Sequence, residues 1–438
     1  MKRRSIFLYE WNHFIRSPFK VVALLLFLGA GMYALHNGLN LYREQRVEIE
    51  KIKNQAREQR EETIAYFDKG EKGPSNRPWV DLTTPFWAIW STPVYHFKAP
   101  SPTIVYSIGQ AEQYGFYKRV TFQSSPYDSD MAQEIANPER LNSGTLDFSF
   151  VILYLGPLLL LIWLYNIKGM ESDSGFLPLI YAQTGSENTW LLTRVSFYVA
   201  FLLLILLGLL YYGALLTDVF RSNLAVFGQI FFLLGSYLLL WGLGFTLMLL
   251  SGKSSIGNTL KMVGLWLLIG FIIPAAVHQW ISIQHPANLM TDFIDAQRDE
   301  RDKLYNQPDS LLQAQLNSLF PDIVDSPVAQ DSLRRNLAMN RTASALANEL
   351  AKRSIARIEA KNGEKNNLIR FSYWFNPVTF FQNKVNSYSG TDFQAYKKYR
   401  GEIQELIDKQ LRSLVLDTWG PVEVGKDRYL QYNKTLVP

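Results

Sequence analysis

Cysteine is absent from all 438 residues, which excludes disulfides, thiolate metal sites and cysteine nucleophiles. Histidine is scarce: the five residues, at 13, 36, 96, 278 and 285, show no H-x-x-x-H or related ligand spacing, so a metal site is disfavoured. The chain has no Walker lysine loop, G-x-S-x-G, H-E-x-x-H or glycine-rich dinucleotide turn, hence no recognisable catalytic motif. Internal repeats and low-complexity tracts are also missing. The net charge of +5 is modest and dispersed. Lys and Arg flanking membrane spans explain it better than nucleic-acid binding does.

What is present is apolar length. The mean hydropathy of -0.04 fits a chain divided between apolar spans and large polar regions. Segments 19–39, 146–166, 193–216, 225–250 and 257–279 are each long enough to cross hydrocarbon, since about 20 residues at roughly 1.5 Å rise suffice. The expected fold class is a mainly α, polytopic membrane protein with about five transmembrane helices and large helical extracytoplasmic domains. Its organisation reads as an interfacial elbow helix at 1–18, transmembrane helix 1 at 19–42 and a first external part at 43–145. Transmembrane helices 2–5 then occupy 146–279, around a cytoplasmic loop at 167–192, and a second external part follows at 280–438.

In the opening segment, Ile6, Phe7, Trp11, Phe14 and Ile15 approximate one helical face, with Arg3, Arg4, Glu10 and Arg16 around it. Pro18 marks a break, so this is read as a helix lying on the inner leaflet. No A-x-A-like site follows the apolar run 19–35, which is therefore expected to be retained. Lys2, Arg3, Arg4, Arg16 and Lys20 precede span one, and Lys168, Arg194, Lys253 and Lys261 sit near loops 167–192 and 251–256. The short loop 217–224 carries only Arg221. The positive-inside rule then places the N-terminus and the two basic loops in the cytoplasm, and the C-terminus outside.

The external regions read as helical. Arg43 to Phe67, dense in charge, is either an outward stalk of span one or a solvated helix, broken by Gly70 to Pro78. The aromatics of 85–97 suit a small core or an interfacial belt, ahead of the wall of an apolar substrate groove. Helices are expected at 288–304, 310–320, 331–360 (ended by Gly363) and 391–416, whereas 371–381 is too short to span and suits a dip into the outer interface. The tail from Pro421 carries little signal. Almost nothing ionisable lies inside the spans away from their ends. A proton-coupled carrier is disfavoured on that account, and energy must enter from elsewhere.

The insert Glu171-Ser-Asp-Ser-Gly-Phe-Leu-Pro-Leu-Ile-Tyr-Ala-Gln-Thr-Gly-Ser186, followed by Leu191 and Arg194, resembles the coupling segment of ABC-2-type permeases. Glu171, Gly175, Leu177, Leu179, Ala182, Gln183 and Ser186 match that pattern, while Phe176, Pro178, Thr184 and Arg194 depart from its commonest residues. The opening Tyr9 to Pro18, with Glu10, Trp11, Phe14 and Arg16, is similar to the elbow helix of such permeases. Two further stretches, Pro102-Thr-Ile-Val-Tyr-Ser-Ile-Gly-Gln-Ala-Glu112 and Ser389-Gly-Thr-Asp-Phe-Gln-Ala-Tyr396, resemble a large-loop branch known as a domain of unknown function. That branch is distantly related to the permease serving nitrous-oxide-reductase maturation.

The resemblance implies a permease subunit in a bacterial inner membrane, paired with a second identical or related permease. It also implies two ATPase subunits that carry the ATP and Mg, and no cofactor on this chain, which is then not itself an enzyme. Glu171, Gly175, Leu177, Leu179, Ile180, Ser186 and Arg194 are the expected coupling residues. Glu171 and Arg194 would form a charge pair, and Leu177, Leu179 and Ile180 would fill an ATPase groove or pack beneath the bilayer. Two function classes remain: export of an amphipathic, lipid or peptide substrate, and mechanotransmission to a periplasmic partner with nothing crossing. A passive scaffold is a weaker third.

Overall fold

The computed structural model describes residues 3–127, 146–169, 171, 174–184, 186–251, 255–284, 298–299, 302–304 and 306–437. Nearly all ordered structure is helical: α1 (Arg3–Ile15), α2 (Pro18–Asp68), α3 (Pro85–Ser91), α4 (Phe148–Leu164), α5 (Leu177–Thr184), α6 (Glu187–Leu215), α7 (Leu224–Ser251), α8 (Ser255–Gln284), α9 (Asp309–Leu319), α10 (Ser332–Ser372), α11 (Pro377–Ser389), α12 (Phe393–Trp419) and α13 (Lys426–Leu436). A small two-stranded sheet, β1 (Tyr95–Phe97) against β2 (Tyr117–Arg119), pairs antiparallel with His96 opposite Lys118.

Among the described residues four helices, α2, α6, α7 and α8, are long and apolar enough to cross a membrane. The chain is thus a membrane protein by length and composition of its helices. The remaining expected span, 146–166, forms the shorter apolar helix α4. Pro157 explains its local geometry. Proline has no N–H to give to the carbonyl four residues earlier, and the preceding residues Val151–Leu155 widen into a π turn. The Leu153 carbonyl that Pro157 leaves open accepts instead from the Tyr237 hydroxyl of α7, at 2.6 Å. A backbone defect within an apolar bundle is thereby satisfied by a neighbouring helix.

The helix that holds the expected first span does not stop at residue 42. Ser17 and Pro18 start α2, proline being suited to the first helical position, and the helix runs 51 residues to Asp68 before Gly70 turns away at φ 70°. Residues 43–67 thus continue the helix of the first span, with most of their charged side chains exposed. Phe27, Ala34, Leu35 and Leu39 pack in the membrane-type bundle, while Tyr42 belongs to a second apolar core. That second core gathers α3, α9, α10, α12 and α13; Ala88, Ile89 and Val94 are buried in it, and of the aromatics of 85–97 Phe86 and Trp90 pack against it half-buried.

Several expected boundaries move. Gly363 lies inside α10, which continues to Ser372, because a helix tolerates one glycine when its other residues favour it. The segment 371–381 ends α10 and begins α11. The buried stripe of α11, Val378, Phe381 and Val385, packs into the bundle, with Phe381 edge-on to Tyr237 at 4.9 Å between centroids. The uninformative tail forms α13, clipped to α12 by Arg428, whose Nε and Nη2 reach Asp417 at 3.1 and 2.5 Å, while Tyr432 hydroxyl donates to the same carboxylate. The helix expected at 288–304 falls almost wholly outside the described residues.

Candidate functional site

At one end of the bundle three segments distant in sequence meet on a guanidinium. Arg194, two turns into α6, is 3% exposed, and Glu10 of α1 is 0% exposed. Arg194 Nε donates to Glu10 Oε1 at 2.5 Å, and its Nη1 donates to Glu171 Oε1 at 2.5 Å and to the Ile167 carbonyl at 2.6 Å. The other Glu10 oxygen accepts from Tyr198 hydroxyl at 2.8 Å, which in turn accepts from Lys20 Nζ at 2.8 Å. The chain Lys20–Tyr198–Glu10–Arg194–Glu171 balances two carboxylates with two cations. Burial of this kind is tolerated only with such pairing.

Local structure explains how each group arrives. Glu10 lies between Ile6 and Phe14, four residues from each, so all three share one face of α1. That face is the buried one, which differs from the expected grouping: Phe7, Trp11 and Ile15 are partly exposed, although Phe7 meets Phe197 and Trp11 meets Phe201 edge-on. Phe14 packs against Trp163 and Phe201, and Arg16 is exposed at the turn into α2. Glu171 is brought in by a tight turn in which Phe176 N donates to the Glu171 carbonyl at 3.0 Å. Gly175 sits there at φ 75°, a conformation L side chains disfavour. Ser186 is the N-cap of α6, its hydroxyl accepting from Thr189 N at 3.2 Å.

The apolar residues of α5 divide. Leu177 and Ile180 are half-buried against the bundle, whereas Leu179 is 61% and Phe176 60% exposed. Of the three residues expected to fill a partner's groove, only Leu179 points outward, and Phe176 joins it. A cavity of about 200 Å³ lies beside the network, lined by His13, Lys20, Asn166, Glu171 and Arg194. Glu171 Oε2 and His13 Nδ1 find no hydrogen-bond partner among the described residues there, and the space has room for water. Burial, with help from the Lys20 ammonium, pulls the His13 imidazole below its ordinary value of 6.5. At the centre of the network is a guanidinium, which does not give up its proton. The cluster is a strut joining three segments.

Sequence reasoning named Glu10, Glu171 and Arg194 but paired only the last two. Lys20, Tyr198 and the Ile167 carbonyl were missed. The available signal was Glu10 itself, an acid set between the apolar residues of a stripe, four positions from each.

The opposite end of the bundle holds a second interlock. The stretches 102–112 and 389–396, nearly 300 residues apart, are hydrogen-bonded to each other: Ser389 hydroxyl donates to the Thr103 carbonyl at 2.9 Å, Gln110 N to the Thr391 carbonyl at 2.9 Å, and Thr391 hydroxyl to the Ser107 carbonyl at 3.2 Å. Tyr106 hydroxyl donates to the Leu210 carbonyl of α6 at 2.6 Å. Gly38 of α2 lies so close to Val105 that a Cβ would stand 2.8 Å from its Cα. This knot ties the second core to the bundle.

Comparison with known proteins returns no family model, no curated protein and no solved structure that matches the chain.

Proposed function

We propose that the chain is the transmembrane subunit of an ABC-2-type transporter. In this reading, residues 167–192 receive force from a separate ATPase dimer, which holds the ATP and Mg, and the subunit pairs with a second permease in a bacterial inner membrane to export an amphipathic substrate. The observation that carries this reading is the buried Glu10–Arg194–Glu171 strut. It fixes α5 to both the N-terminal helix and the base of α6, so a push on α5 moves a span rather than a loop. Phe176 and Leu179 are the exposed apolar groups that a partner's groove would cover.

A second reading, mechanotransmission without transport, is favoured by α2. One uninterrupted helix carries Phe27 in the bundle core and Tyr42 in the second core, so tilting it in the membrane would displace the second core directly.

The test uses the absence of cysteine. A cysteine replacing Gln183 should cross-link to a co-expressed ATPase, and the pair Phe176→Asp and Leu179→Asp should abolish ATPase association while the chain still inserts. Charged groups in an apolar groove cost several kcal/mol, roughly 2–7 per unpaired polar group. Retained ATPase binding by the double variant, with no cross-link at 183, would sink the proposal. If ATPase binding and turnover persist in the wild type while substrate export is nil and a partner's activity responds, the transmitter reading replaces export.

A further inference from the structure

The largest cleft among those described lies not at the strut but between the end of α10 and the polar face of α11, with a volume of about 970 Å³. Its chemistry is one-sided. Lys365, Arg370 and Lys384 all line it, and none makes an ion pair with another described residue. The single lining carboxylate, Asp392, is already engaged as the N-cap of α12, accepting from Ala395 N at 3.0 Å. The walls are held in place: Asn383 Nδ2 donates to Tyr373 hydroxyl at 2.9 Å, and Tyr373 packs edge-on to Phe380 at 5.4 Å. The buried side chain of Asn376 caps the start of α11 through Thr379 N at 3.3 Å.

Two features decide between a soluble anion and a lipid. The face of α11 opposite the cleft, Val378, Phe381 and Val385, is part of the core of the membrane bundle, so the cleft runs along an element seated against candidate span α7. Beside the cleft the chain also presents Phe371, Trp374 and Phe375, which are 68%, 91% and 49% exposed. Trp and Phe at such a rim are suited to the boundary between headgroups and acyl chains. Unpaired cations next to an exposed aromatic edge match an amphiphile with an anionic head.

We propose that this cleft binds the headgroup of an anionic phospholipid from the leaflet nearest the second core, with Lys365, Arg370 and Lys384 facing the phosphate and Phe371, Trp374 and Phe375 inserted beside the acyl chains. The proposal rests on the chain being a membrane protein and not on its having an ATPase partner, so either reading can fail without the other.

The experiment titrates the full-length protein in neutral detergent with phosphatidylglycerol or phosphatidylcholine and counts bound lipid by native mass spectrometry. Each juxtamembrane cation contributes on the order of fivefold in affinity. Lys384→Gln should therefore weaken phosphatidylglycerol binding about fivefold, and the triple variant Lys365→Gln/Arg370→Gln/Lys384→Gln about 100-fold. Phosphatidylcholine binding should not change, and millimolar inorganic phosphate should not displace the lipid. Arg370 and Lys384 are exposed, so the single variants keep the test alive if the triple one fails to fold. Equal binding of the two lipids, or variants that bind phosphatidylglycerol like the wild type, would overturn the proposal. Displacement by inorganic phosphate at equal concentration would overturn the lipid in favour of a soluble anion.

Discussion

Replacing Arg194 by glutamine leaves Glu10 and Glu171 facing each other with no cation between them. Glu10 is wholly buried and its one remaining donor among the described residues is Tyr198. The perturbation removes three charge-assisted hydrogen bonds, two of them to carboxylates at 2.5 Å. Breaking a buried pair by removing one partner costs roughly 3–5 kcal/mol, because the stranded charge keeps its desolvation penalty. For a cooperative unit of about 200 residues, at roughly 2–4 °C per kcal/mol, that is a fall in Tm of about 6–20 °C. Thermal unfolding of the detergent-solubilised protein, followed by loss of the monodisperse chromatographic peak, reads this directly. A double variant, Arg194→Gln with Glu10→Gln, should recover a large part of the loss, since one of the two stranded charges is gone. A single variant melting within about 2 °C of wild type, or a double variant no better than the single, would refute the account of the strut as charge compensation.

Tyr237→Phe should cost about 1–3 kcal/mol, because the Leu153 carbonyl is left buried without a donor. The same substitution in a Pro157→Ala background should be nearly neutral, since alanine restores the helical N–H that proline lacks, and a double-mutant cycle by thermal unfolding measures the coupling. The His13 imidazole is held below 6.5 by burial and by Lys20. The folded protein is therefore the weaker proton binder: the stability conferred by neutral His13 is fully present above about 6.5 and is lost as pH falls from there towards its lowered folded value. Tm measured between about pH 8 and about pH 5, which spans that window, should fall less steeply for His13→Asn than for wild type, and parallel curves would contradict the assignment.

The α class and the apolar segments were legible because hydrophobic length and composition are local properties. The segment 19–39 and the three runs from 193 to 279 announce α2, α6, α7 and α8 without reference to any neighbour. The insert after Lys168 was legible for a similar reason: a break in hydropathy, a glycine needed at φ 75° and a serine N-cap at 186 are written in adjacent residues. What lay across the chain was not. Whether α2 would end at 42 or continue depended on a second core that buries Tyr42, built mostly from residues beyond 300. That α11 would leave the second core and pack on α7 depended on Phe381 finding Tyr237. The partner of Glu10 could not be read from α1, because a carboxylate on an apolar face specifies only that some cation must come to it. Period and composition determined which segments are helices and which are apolar. The tertiary structure alone decided which charges share a buried site, since that is set by distances between segments 184 residues apart, as for Glu10 and Arg194.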